Sequence, residues 1–273
     1  MTEQTDRPSG DRLVPDGGKL PGAGSDTGAV TGTGATPGAS TAPGPVRPGT
    51  GRPGRPSIGW TEIGVGVLAY AVLSVAAALA IGAGTPGAQI AAFPLLVATG
   101  LATLLAALVA LAVRVRWLPA IGLCRTTVRW LLIGVGAGVV ARVISIGAVF
   151  GYLALTGDTD NPQAMLGEAA AGTTLELLGL MLGGAVLVPI AEELLFRGIG
   201  YSGLRRYGVW VALIVSSLVF GLAHGINVVL PAAVCLGAIN AFLYERSGSI
   251  WPSVLSHGVH NALGFGFAAL MLG

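Results

Sequence analysis

Charged side chains are scarce here: 10% of 273 residues, where a soluble domain of that size carries about a quarter. Eleven of the 28 fall within the first 57 residues, so the other 216 residues share only 17. That excludes a water-soluble globular enzyme. The surplus of positive charge is small, a net +2, and no basic stripe exists to neutralise phosphates, which excludes a nucleic-acid partner. There are two cysteines, Cys124 and Cys235, both in or beside apolar runs, so neither a disulfide scaffold nor a Cys-rich zinc site is built here. What is abundant is apolar: 53% of the chain, with a mean hydropathy of +0.76. These are the proportions of a polytopic membrane protein.

Residues 1–57 hold 13 Gly and 9 Pro among Ser, Thr and scattered charges. Such a segment cannot bury enough apolar surface to offset its chain entropy, and the expectation is a disordered tail. From Ile58 onward the apolar runs reach the ~20 residues a bilayer requires. They predict seven spans at 58–82, 89–113, 128–156, 173–206, 209–226, 228–246 and 250–272. The fourth exceeds what a span needs and should tilt or protrude. The expected fold is therefore an all-α transmembrane bundle. Its parts are the tail (1–57), N-terminal helices (58–172), a core (173–265) and the end of the last span (266–273).

Arginine marks alternate connections. Arg47, Arg52 and Arg55 precede the first span, Arg114, Arg116, Arg125 and Arg129 surround the second connection, Arg205 and Arg206 the fourth, and Arg246 the sixth. The intervening connections lack Lys and Arg, and 157–171 carries Asp158, Asp160 and Glu168. This alternation predicts a protein of the cell membrane with its N-terminus in the cytoplasm. Gly134/Gly138, Gly179/Gly183 and Gly221/Gly225 have the spacing that lets helix backbones approach closely in lipid.

Ionisable groups inside a span are costly and mark function. Glu192, Glu193, Arg197, His224, His257 and His260 lie in the predicted spans, with the amides Asn240 and Asn261; all three histidines of the chain are among them. On a helix Glu193 and Arg197 are four apart and pair, in the better orientation of acid before base. Glu192 points about 100° away and is left available for chemistry. Pro189 removes a backbone donor, which should kink the helix and free a carbonyl one turn above. Phe220 and His224 share a face of the next span, and His257 and Asn261 share a face of the last.

Glu-Glu-x-x-x-Arg at 192–197, Phe-x-x-x-His at 220–224 and His-x-x-x-Asn at 257–261, in that order, resemble the CPBP family of intramembrane proteases. That family comprises type II CAAX prenyl endopeptidases and bacteriocin-processing or immunity-type proteins. Phe-Arg-Gly at 196–198 and Ser-Gly-Ser-Ile-Trp-Pro at 247–252 fit the same pattern. The resemblance implies that Glu192 and His224 activate a water while His257 and Asn261 stabilise the oxyanion. It also implies a peptide or protein substrate reached from membrane lipid, whose C-terminus the CAAX members see lipidated. His260 lies outside the motif and is assigned to packing. Glu192, His224 and His257 with an open position would suit a zinc ion, yet there is no H-E-x-x-H, and a metal-free glutamate mechanism is equally open.

Other readings compete. Gly200-Tyr201-Ser202-Gly203 resembles the GxSG of rhomboid serine proteases, with His257 as partner. A non-catalytic immunity or scaffold protein would keep the fold but lose motif residues, and none is lost. A proton-relay transporter would more often show internal repeats, and no convincing one is found.

The expected orientation is checked by labelling. In a background lacking Cys124 and Cys235, a cysteine placed in the tail or at position 206 should resist an impermeant thiol reagent in intact cells and react after lysis. Labelling in intact cells would invert the topology.

Overall fold

A computed structural model describes residues 58–84, 92–115 and 117–273. The tail expected at 1–57 lies outside the described residues. Among those described there are helices and no strand. Helices α1 (Trp60–Gly84), α2 (Ala92–Arg114) and α3 (Val128–Thr156) are long apolar rods, with a single 3-10 turn at Leu118–Ile121 between α2 and α3. A short helix α4 (Ala164–Ala170) follows.

A composite rod, Thr174–Tyr207, comes next. It is built from α5 (Thr174–Leu182), a π-turn (Gly183–Leu187), α6 (Val188–Glu193), a second π-stretch (Leu194–Tyr201), α7 (Ser202–Leu204) and a last 3-10 turn. Then come α8 (Val209–Leu222), α9 (Val229–Ser247) and α10 (Trp251–Leu272).

Seven rods thus stand where seven spans are expected. Five of them are long and apolar enough to cross a bilayer. The two others differ for separate reasons. α8 has 14 residues, about 21 Å of helix against a hydrocarbon core of ~30 Å. α10 has 22 residues, but Ser253, Ser256, His257, His260 and Asn261 dilute its apolar character. The span expected at 209–226 therefore ends early. The chain leaves the helix after Leu222 and turns through His224 and Gly225, whose φ of 89° is open to glycine and strained for other residues.

Burial is inverted relative to a soluble protein. Leu155 is 88% exposed, Leu270 81% and Trp210 74%, whereas Glu193, Arg197 and Asn240 are fully buried. Apolar side chains face lipid and the polar ones face the bundle, as expected of an integral membrane protein. Small residues let the rods approach. A Cβ on Gly138 would overlap the Ser256 carbonyl oxygen and Val259, and one on Gly134 would overlap Pro252, so this pair seats α3 against α10. Gly179 lies against the Phe93 ring of α2. The third pair does not act as a helix motif: Gly221 packs against Val234 of α9, but Gly225 is already in the turn.

One end of the bundle collects the arginines. Arg114 pairs with the buried Glu62 at 2.7 Å, Arg205 with Glu245 at 2.9 Å, and Arg206 donates to the Ile58 carbonyl. Cys124 donates to the Gly248 carbonyl at the same end, and both cysteines are free thiols. At the opposite end the Val228 amide donates to the Asp160 carbonyl at 3.3 Å, joining the α3–α4 connection to the turn that carries His224.

Gly138→Leu should lower the thermal midpoint in detergent, at an overpacking cost of about 1–3 kcal/mol. Gly136→Leu, where nothing lies within 4 Å of a new Cβ, should not. Equal midpoints for the two variants would refute this account of the α3–α10 contact.

Candidate active site

Two adjacent glutamates of the composite rod do different work. Glu193 is fully buried, with one oxygen in an ion pair that lacks hydrogen-bond geometry and the other accepting two hydrogen bonds. Oε2 faces Arg197 Nε at 3.2 Å, while Oε1 accepts from Asn240 Nδ2 of α9 at 2.9 Å and from His257 Nδ1 of α10 at 3.0 Å. The acid–base pair expected four residues apart forms, although Arg197 lies in the π-stretch. Glu193 is more than the partner of an arginine, however: it also holds the histidine of the third motif.

Arg197 is equally committed. It donates through Nη2 to the Gly237 carbonyl of α9 at 3.0 Å, and its guanidinium lies 4.6 Å from the centre of the Phe220 ring. Phe220 is the aromatic hub of the site. Its ring meets Phe196 edge-on at 5.0 Å, His257 edge-on at 5.7 Å and His224 at 4.9 Å.

Glu192 stands apart, as the helical-wheel argument requires. Its Oε2 is buried without a hydrogen-bond partner, 3.8 Å from His257 Nε2. His257 therefore sits between two carboxylates, Glu193 on Nδ1 and Glu192 beyond Nε2. His224 gives Nδ1 to the Phe220 carbonyl at 2.9 Å, which fixes its tautomer and leaves Nε2 as the acceptor. The turn that presents it is locked by Asn227, whose Nδ2 donates to the His224 carbonyl and whose Oδ1 accepts from the Val229 amide, both at 2.8 Å. Sequence reasoning missed Asn227. Its signal is a Gly-Ile-Asn directly after the histidine, in the pattern of a turn that caps the next helix.

Pro189 acts as expected, with a shift. In the π-turn before it, the Val188 amide bonds to the Gly183 carbonyl five residues back. The next donor would be Pro189, which has no N–H, so the Gly184 carbonyl is left over. Asn261 Nδ2 donates to it at 2.7 Å. Gly258 packs so closely on the neighbouring Ala185 carbonyl that a Cβ would stand 2.5 Å from the oxygen. Asn261 thus ties α10 to the broken rod with one amide proton and keeps a second.

Glu192, His224, His257 and Asn261 line one cavity of about 770 Å³. Apolar walls come from Val149, Leu153, Val188 and Leu236, and Thr159, Asn161 and Gln163 complete the wall from the α3–α4 connection. His260 stays outside: it is buried, its carbonyl is bound by Arg142 and its Nδ1 has no partner.

Two further expectations meet the geometry. Ser202 Oγ is buried 2.8 Å from Tyr244 Oη and donates to the Arg197 carbonyl, far from any imidazole contact, so the rhomboid-like serine reading fails. As for zinc, no three His, Cys, Asp or Glu side chains gather as a metal site among the described residues. His224 makes no ion pair with either glutamate. The donor set as arranged does not converge on one point, and no step below runs through a metal.

Comparison with known proteins gives two matches. The family model of Rce1-like type II CAAX prenyl endopeptidases matches residues 173–263. The Bacillus subtilis (strain 168) protein named "Putative membrane peptidase YdiL" is 25% identical over 136 residues, which are 50% of this chain and 54% of that protein. The chain therefore spans about half the length of the curated relative it matches. No solved structure matches. The chain is thus similar to membrane peptidases over its C-terminal half, and its five long apolar rods are those of an integral membrane protein.

Glu193→Gln should reduce the yield of folded protein more than Glu192→Gln, measured as monodisperse protein on size-exclusion chromatography. The first strands Arg197 in the bundle at a cost of about 3–5 kcal/mol; the second removes a carboxylate oxygen that had no partner. Equal yields, with activity lost only in Glu193→Gln, would reverse the two roles.

Proposed function

We propose that the chain is an intramembrane endopeptidase that hydrolyses a peptide bond with a water activated by Glu192 and His224. The observation that carries this reading is the meeting of Glu192, His224, His257 and Asn261 on one cavity, with the Glu192 carboxylate uncommitted. Amide hydrolysis needs a base beside the water and donors aimed at the developing negative charge.

In the proposed reaction Glu192 takes a proton from the water, whose position His224 Nε2 fixes by accepting a second hydrogen bond. The oxygen bonds to the carbonyl carbon, and the carbonyl electrons move to the oxyanion. His257 gives Nδ1–H to Glu193, so it offers an Nε2 proton only when the ring is doubly protonated. Nε2–H and the second Nδ2 proton of Asn261 then face the oxyanion. When the C–N bond breaks, the proton held by Glu192 passes to the leaving amine.

The same reading sets the direction of supply. The cavity wall is completed by the α3–α4 connection and the His224 turn, at the end of the bundle away from Arg114, Arg205 and Arg206. With the arginine-rich end in the cytoplasm, the substrate enters from the extracytoplasmic leaflet. That favours a membrane-inserted peptide segment over a cytoplasmic lipidated C-terminus. The rival reading, a non-catalytic scaffold of the same fold, requires no uncommitted carboxylate in the cavity.

The decisive test is C-terminal proteomics of cells with the protein, without it, and with Glu192→Ala. New C-termini that depend on Glu192 support a peptidase; identical profiles support the scaffold. In the purified enzyme Asn261→Ala should lower turnover ~10²–10³-fold with binding nearly intact. It should also cost about 1–3 kcal/mol of stability, because the Gly184 carbonyl loses its donor. His224→Ala should be more damaging to turnover. Activity should survive 1,10-phenanthroline. Loss to the chelator with recovery on added zinc would replace the glutamate mechanism with a metal-dependent one.

A further inference from the structure

Arg142 lies outside the stretch matched by the family model, at the midpoint of α3, fourteen residues or about 21 Å from either end. A permanent cation at that depth is expensive, and where one occurs it faces a partner or a pathway. Arg142 faces the cavity of Glu192 and His257. Nε and Nη2 both donate to the His260 carbonyl, at 3.0 and 2.5 Å. Among the described residues no carboxylate lies within ion-pair distance of it. A carbonyl fixes the guanidinium in place but leaves its charge unbalanced.

The surroundings are shaped around this group. Gly264, one turn beyond His260, also lines the cavity, and any side chain there would collide with the guanidinium. The carbonyl that anchors Arg142 belongs to the residue before Asn261, so the cation is held next to the corner assigned to the oxyanion. Its fork of N–H groups matches a planar carboxylate, which it binds with geometric selectivity that an ammonium lacks.

We propose that Arg142 is a specificity-determining residue that binds a carboxylate of the substrate peptide inside the cavity. The proposal rests on the peptidase reading for its substrate and on Arg142 alone for its chemistry. Two parts of a peptide supply that carboxylate, the C-terminus and an Asp or Glu side chain.

The test uses the purified full chain and an internally quenched peptide library in three forms: free C-terminus, amidated C-terminus, and Asp/Glu replaced by Asn/Gln. One of the two altered forms should lose about 10- to 100-fold in kcat/KM, mainly through KM. Loss on amidation assigns the C-terminus; loss on Asp/Glu replacement assigns the side chain. Arg142→Gln should bring the ratio between forms to near unity, and Arg142→Lys should preserve its direction. A ratio within one enzyme is unaffected by partial misfolding. Equal cleavage of all three forms by the unaltered enzyme, or a ratio that survives Arg142→Gln, overturns the proposal and leaves the peptidase reading standing.

A second arm separates the two. Thermal stabilisation of Glu192→Gln protein by the same peptides should show the same carboxylate preference and lose it on Arg142→Gln. If no form is cleaved, a preference in this arm retains the Arg142 site and rejects the peptidase, whereas its absence rejects both.

Discussion

The carboxylate of Glu193 fixes the registration of the bundle. It is fully buried, so its charge must be balanced by the groups it touches, and these come from three rods: Arg197 on its own, Asn240 on α9 and His257 on α10. Removing such a charge from water costs several kcal/mol, and only close geometry recovers it. The rods are therefore held where the bonds require. Arg197 extends the constraint, reaching the α9 backbone at Gly237 and lying over Phe220 of α8. In lipid, where apolar contacts discriminate weakly between helix arrangements, polar ties of this kind decide which arrangement is adopted.

The irregularity of the composite rod follows from the same demand. A straight α-helix through Pro189 would leave carbonyls unpaired in a low-dielectric interior. The π-turn at Gly183–Leu187 moves the vacancy to the Gly184 carbonyl, within reach of Asn261, and Gly258 lets α10 come near enough to fill it. The backbone defect thereby becomes the joint between two motif-bearing helices.

Much of this was legible in the sequence. The i, i+4 spacing of Glu193 and Arg197 already states their pairing and leaves Glu192 over, and apolar run length locates every rod. Contacts between rods were not legible. His257 to Glu193 and Asn261 to Gly184 join residues 64 and 77 positions apart, and nothing local encodes them. The early end of α8 was hidden because Ala223, Gly225 and Ile226 read as apolar enough to extend a span to 226, although Asn227 directly after them builds a turn. Arg142 was legible as a charge within the span 128–156, but no motif or i, i+4 partner on its own helix marks what it faces.

Two adjacent glutamates end in opposite conditions for one geometric reason. The 100° between successive residues turns one carboxylate into the packed interior and the other toward the cavity, so neither role can pass to the neighbour without rotating the rod. Rotation is blocked by the bonds of Glu193 itself. The freedom of Glu192 is thus a consequence of the commitments of Glu193, and its oxygen without a hydrogen-bond partner stands at the cavity. The low dielectric that makes Glu193 expensive to bury also amplifies the field that His257, Asn261 and Arg142 present to the cavity. The chain meets the desolvation cost once, in folding, and the same charges then stand preorganised around the space the substrate must fill.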